Sequence, residues 1–227
     1  MLAGFRVMFS PRLRGNDASF HLARRFIQDR LAEIASLVPS AALKQLRDTR
    51  LWLDADPSAG GGAFFATWPS NRHGGRDRGY DGFHGAMYQG VVFPNVLESI
   101  RKVFGSQPML VLHELAHGYH HRVLGTWNAE VRRIYNSAKE RGLYRNVRFA
   151  SGSGASIGHA IMNEWEYFAE LTEAYFGQND QTPLNLSDLR IYDPDGMRLI
   201  EQAWQGKLGS IGPTKSVSCG SLSEAPR

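Results

Sequence analysis

Residues 113–117 read His-Glu-Leu-Ala-His, two imidazoles four positions apart with a carboxyl group beside the first. On an α-helix, positions four apart differ by about 40° in azimuth and lie about 6 Å apart along the axis, so both rings leave one face and can grip one ion. Glu114 stands about 100° from His113 and about 60° from His117 on the same wheel. Its carboxylate can therefore reach a water on the ion without ligating the ion. That is the layout of a zinc hydrolase: two ligands and a general base. A chance match from this composition is on the order of one in a hundred, so the motif needs support from elsewhere in the chain. Leu110, Val111 and Leu112 precede His113, which predicts a buried segment. Two facing imidazoles in a core demand hydrogen-bonding partners, and one metal ion satisfies both.

A catalytic zinc site takes a third protein ligand and keeps one position open. The segment Asn163–Phe176, NEWEYFAELTEAYF, is apolar over most of its helical wheel. Glu166, Glu170 and Glu173 fall within about 60° of one another on that wheel. Asn163 with Glu166 also fits an N-cap and its capping-box partner, which would leave the acidic stripe facing solvent. Beside the motif at 113–117, the stripe is where a third ligand belongs. Glu166 is the candidate ligand. Glu170, one turn on, is the candidate hydrogen-bond partner of a ligand histidine. His117 and His121 form a rival pair, disfavoured because Gly118 follows His117 where a base is wanted. His120 and His121 read better as supporting or surface groups.

The string VLHELAHGYHHRVLG, followed about fifty residues later by NEWEYFAELTEAYFG, resembles the anthrax lethal factor-like family of zinc metallopeptidases, a gluzincin family. The similarity covers roughly residues 85 to 180. It implies an α+β, zincin-like metallopeptidase domain, mostly helical, with a small mixed sheet whose edge strand borders the active-site cleft. It implies one zinc ion on His113, His117 and Glu166, with Glu114 as general base, and it places the family's last glutamate at Glu170. The family carries a tyrosine seven residues before the third ligand, where it stabilises the oxyanion; here that position is His159. A histidine N–H can donate the same hydrogen bond, and Tyr144 and Tyr167 are poorer substitutes. The strand formers Ala86–Phe93 stand before the motif helix, as the family's edge strand does. Gly90 and Val91 are therefore expected to pair with an extended peptide or protein substrate. The alternative function is a zinc-stabilised regulatory or binding module with vestigial hydrolase activity; a non-peptide amidase would carry the same residues.

The remaining elements must position these groups. Apolar residues recur at helical spacing from Asp17 to Leu37 behind an Asp17 cap; Pro39 stops that helix, and a short one follows at 41–46. Leu51–Leu53 and Gly62–Thr67 read as strands. The Gly-rich, charged run at 69–85, with His73 and His84, reads as a surface loop open to a substrate-facing role. Helices are expected at 96–104, 107–124, 128–141 and 163–176. A single domain over 1–205 is predicted, with a helical part at 17–46 and a small sheet at about 50–93. Residues 206–227 have the composition of a flexible tail.

Composition bounds the rest. Hydrophobic residues make up 42% of 227, enough for one core. Net charge is +4, but the basic residues are scattered, which argues against nucleic acid as a partner. No run approaches the roughly 18 apolar residues of a membrane span. The single cysteine, Cys219, excludes an internal disulfide. The first fifteen residues lack a signal-peptide pattern, so a cytoplasmic protein is the default expectation.

Overall fold

A computed structural model describes residues 1–67, 82, 84–152 and 154–208. Strand β1 (Val7–Phe9) leads into helix α1 (Pro11–Arg14), α2 (Asp17–Leu37) and α3 (Ser40–Leu46). Ser10 caps α1, and Asn16, rather than Asp17, caps α2 by accepting from the Ser19 amide. Ala23, Ile27, Leu31 and Ile34, at spacings of four, four and three, form the buried stripe of α2. The helix ends at Val38, whose backbone is extended as a residue before proline must be.

Strands β2 (Leu51–Leu53), β3 (Phe64–Phe65) and β4 (Val91–Phe93) join β1 in a four-stranded mixed sheet of order β1-β2-β4-β3. β1, β2 and β4 run parallel, and β3 is antiparallel to β4. Alternation separates the two faces. Leu51, Leu53, Phe65, Val91 and Phe93 join the main core beneath the helices. Trp52, Val92, Ala66 and Met87 form a small cluster on the other face. The His84 ring packs edge-on against Trp52 on that outer face, 5.0 Å between centroids. His73 and most of the 69–85 run lie outside the described residues, as does the predicted tail from residue 209.

The sheet corrects one expectation. Residues 85–87 form a 3₁₀ turn, and only Val91–Phe93 is strand. β4 has a neighbour on both sides; the edge strand beyond it is β3. The Gly90 amide donates to Met87 O, its carbonyl accepts from Ala66, and the Val91 amide donates to Arg50 O. Gly90 and Val91 therefore do not offer a free backbone edge to a substrate, because two sheet neighbours have taken it.

Helix α4 (Val96–Lys102) is followed by α5 (Leu110–Tyr119), which continues as a wider π-helical turn over His120–Gly125. Gly125, at φ 90°, closes it. α5 lies close over the sheet edge. A Cβ at Gly118 would stand 3.1 Å from the Phe65 ring and 3.2 Å from Thr49 Oγ1, so only glycine lets the helix approach this far. Helix α6 (Ala129–Glu140) is capped by Asn128. A two-stranded ribbon, β5 (Val147–Arg148) with β6 (Ala155–Ser156), leads into a 3₁₀ turn at His159–Ile161 and then helix α7 (Glu164–Phe176). Helices α8 (Leu186–Tyr192) and α9 (Pro194–Trp204) close the fold. Trp204 stacks on Tyr119 of α5 at 4.4 Å and donates from its indole N–H to Thr172 of α7, so α9 fastens the two motif helices together. No helix among the described residues is long and apolar enough to cross a membrane.

Candidate metal centre

α5 is buried nearly all round and α7 carries the acidic stripe, so packing them buries the stripe against the histidines. Glu170 and Glu173 are each 4% exposed. A carboxylate that deep survives only with partners, and the α5 histidines provide them. Asn163 caps α7 by accepting from the Trp165 and Glu166 amides. The Glu166 side chain does not fold back on that cap. It points at α5 instead.

Three donor atoms converge there. His113 Nε2 lies 3.1 Å from His117 Nε2 and 3.1 Å from Glu166 Oε2. His117 Nε2 and Glu166 Oε2 are 3.4 Å apart. Ligands on tetrahedral zinc, with bonds of about 2.0–2.2 Å, stand roughly 3.4 Å from one another. The triangle thus has the edge lengths of one face of such a tetrahedron. Side-chain exposures of 7%, 12% and 22% for His113, His117 and Glu166 leave it open on one side.

Proton counting favours a cation at this point. His113 Nδ1 is 2.7 Å from Glu173 Oε1, so a neutral His113 holds its one proton there. Its Nε2 then presents a lone pair to a second imidazole nitrogen and a carboxylate oxygen. A proton on His117 Nε2 relieves one of these contacts, and one cation held among the three atoms relieves all of them. Burial works against the charged His113, but Glu166 and Glu173 outweigh it and push its pKa well above the ordinary value. Burial likewise opposes ionisation of Glu166, and hydrogen bonds with His113 and His117 overcome it, holding its carboxyl far below the usual range. Burial pushes Glu173 up to about 7 against the pull of His113.

Glu114 is 6% exposed, and no described residue hydrogen-bonds its carboxylate. It acts on His113 through its charge alone.

His159 lies beside the triad. Its ring is parallel to that of His113, 6.0 Å away, and its Nδ1 is 3.7 Å from Glu166 Oε2. Its Nδ1 sits 3.0 Å from Glu170 Oε1, and this hydrogen bond raises its pKa despite partial burial. Glu170 is thus the partner of His159. It lies 3.9 Å from His113 Nδ1, and the contact expected of it there is made by Glu173. Glu173 was legible as the third member of the stripe, two turns beyond Glu166. Two further groupings have metal-binding composition: His113 with His159 and Glu166, and His113 with Glu170 and Glu173. The second lies on the Nδ1 side of His113, where the 2.7 Å contact to Glu173 holds the orientation of the ring.

The other sequence candidates are elsewhere. Tyr144 and Tyr167 are buried and both donate to Asp193, so neither can serve as oxyanion donor. His121 joins Gln89 to Thr126, with contacts of 3.1 and 2.7 Å. His120 is fully buried against Phe168, and neither of its ring nitrogens has a partner among the described residues. His117 and His121 therefore do not act as a pair.

Compared with protein-family models and with curated proteins, the sequence matches none. Among solved structures, the chain is similar to the PRO-PRO endopeptidase PPEP-2 from Paenibacillus alvei. The TM-score is 0.46 and the identity 16%, over 86% of this chain and 96% of that one.

Proposed function

We propose that the chain is a zinc-dependent metallopeptidase, with His113, His117 and Glu166 holding one ion. The observation that carries this reading is the triangle of 3.1, 3.1 and 3.4 Å formed by their donor atoms. Bound zinc would bring the pKa of a coordinated water near neutrality and polarise a carbonyl. Glu114, with no competing hydrogen bond from a described residue, takes the proton of the attacking water and delivers it to the leaving nitrogen. His159, oriented by Glu170, offers an N–H to the carbonyl oxygen as charge develops there. Glu173 holds the His113 ring in its ligating orientation.

Peptide as the substrate class rests on the resemblance carried by the paired motifs. A second reading, a zinc-stabilised binding module, is favoured by His159 standing where the resembled family has tyrosine. Elemental analysis and casein cleavage, for wild type and Glu114→Gln, separate the two. Zinc near one equivalent in both, with cleavage in wild type only, is the expected result. Zinc in both and cleavage in neither supports the module.

A further inference from the structure

We infer that Trp127 is a specificity residue of this centre, a flat subsite for an apolar, uncharged side chain of the substrate. The inference deepens the peptidase reading and rests on it.

Trp127 is 63% exposed, although it is a large apolar side chain. Its position is nevertheless built. The ring packs on Trp165, with 5.2 Å between centroids and 51° between planes. The Arg132 guanidinium lies 5.0 Å from the ring centre and is itself held by Glu164 at 3.2 Å. The Trp165 indole N–H donates to the Thr126 carbonyl at 2.8 Å, and the Thr126 hydroxyl meets His121 Nδ1 at 2.7 Å. Trp127 thus hangs between the end of the α5 π-turn and the first turn of α7. The flanking residues are part of the centre: Trp165 is the chain neighbour of the ligand Glu166, and His121 is one turn beyond the ligand His117.

Joining the two helices needs only the half-buried Trp165 and its hydrogen bond. An indole that is fixed yet mostly bare is an unfilled contact surface, because aromatic side chains repay burial of roughly 150–250 Å². Little entropy remains to be lost when a partner covers it. For the indole to take a substrate side chain, a chain bound at the triad must run toward the start of α7, where Trp165 holds Trp127. Arg132 already serves as the ring's cation partner, so a substrate lysine or arginine finds that place taken, and an aspartate there would lose hydration over an apolar surface. Leucine or phenylalanine fits.

The test uses the full zinc-loaded chain as wild type, Trp127→Ala and Trp127→Phe, each with and without Glu114→Gln so that binding can be read without turnover. The probes are blocked octapeptides that differ only in Leu, Phe, Ala, Asp or Lys at one position at a time. At one position, we expect at least tenfold higher kcat/KM for Leu or Phe than for Asp or Lys. Trp127→Phe keeps that preference, and Trp127→Ala shrinks it to within twofold at unchanged zinc content. A preference that survives Trp127→Ala, or a wild type without one, overturns the subsite. If no peptide is cleaved, the peptidase reading has failed and the binding arm decides. An apolar preference in Glu114→Gln that Trp127→Ala abolishes supports the subsite; uniform binding, or none, overturns it.

Discussion

His113 Nδ1 and Glu173 Oε1 are 2.7 Å apart, across sixty positions of sequence and between two helices, with both side chains buried. This contact fixes which nitrogen of His113 carries the proton and turns its Nε2 toward His117 and Glu166. Glu173→Gln keeps an acceptor but loses the charge; Glu173→Ala leaves the N–H unpaired in the core. Zinc affinity should fall about 10–100-fold in the alanine variant and less in the glutamine variant. Competition with a chromophoric chelator measures both, and wild-type affinity in Glu173→Ala would show that the contact does not tune the site.

Metal should stabilise the fold, because the three donors are assembled only in the folded chain. Zinc at a hundredfold excess over its Kd contributes about 2.7 kcal/mol. For a chain of this size that raises Tm by roughly 5–10 °C. Scanning calorimetry should show the rise in wild type and in Glu114→Gln, and its loss in Glu166→Ala or in the presence of a chelator. An equal rise in Glu166→Ala would mean that zinc binds elsewhere.

Local pattern made the spacing of the candidate donors readable, and long-range pairing hid the rest. His113, Glu114 and His117 lie within one helical turn, so their relative placement follows from 3.6 residues per turn alone. Glu166 needed only the further guess that an acidic stripe faces the histidines. Which stripe member meets which ring depends on how α5 and α7 slide past each other, and helical period does not encode that. Glu173 therefore makes the contact expected of Glu170, and Glu170 pairs with His159 instead. β4 shows the same limit. Its residues announce a strand, but whether it is an edge depends on β2 and β3, some forty and twenty-six positions earlier. Three-residue β1 and seven-residue α8 carry too short a pattern to stand out, whereas α9, which fastens the motif helices, shows the helical period in Gly196, Leu199, Ile200, Ala203 and Trp204 behind Asp193 and Pro194 and is legible in the sequence.

Asp193 is fully buried and caps α9. It accepts from Tyr144 at 3.0 Å, Tyr167 at 2.5 Å, the Gly196 amide at 3.1 Å and Arg141 at 3.1 Å. Asp193→Ala strands two buried hydroxyls and removes a cap, a loss of about 3–5 kcal/mol. Asp193→Asn keeps part of the network and should cost less. Urea denaturation with an unchanged m-value would report the difference. An alanine variant within 1 kcal/mol of wild type, a margin of about one weak hydrogen bond, would contradict the importance given to this cap.

His120 should make the fold acid-sensitive. Burial, followed by the charges of His117 and His121, pushes its pKa down from 6.5 to about 3. The folded state therefore holds the neutral ring, and the unfolded chain takes up the proton first as pH falls. Stability from this residue is fully present above about pH 6.5 and drains away as pH drops toward 3, by at most ~5 kcal/mol. Between pH 6.5 and 4.5 the expected loss is about 2–3 kcal/mol. His120→Phe keeps a ring against Phe168 and removes two buried nitrogens that have no partner among the described residues. It should be no less stable than wild type at pH 7 and should lack this share of the acid loss. Urea melts of both proteins, zinc-free, at pH 7, 5.5 and 4.5 isolate the residue, because the other titrating groups are common to both and cancel in the difference. Parallel losses in the two proteins would mean that His120 is not the group being protonated.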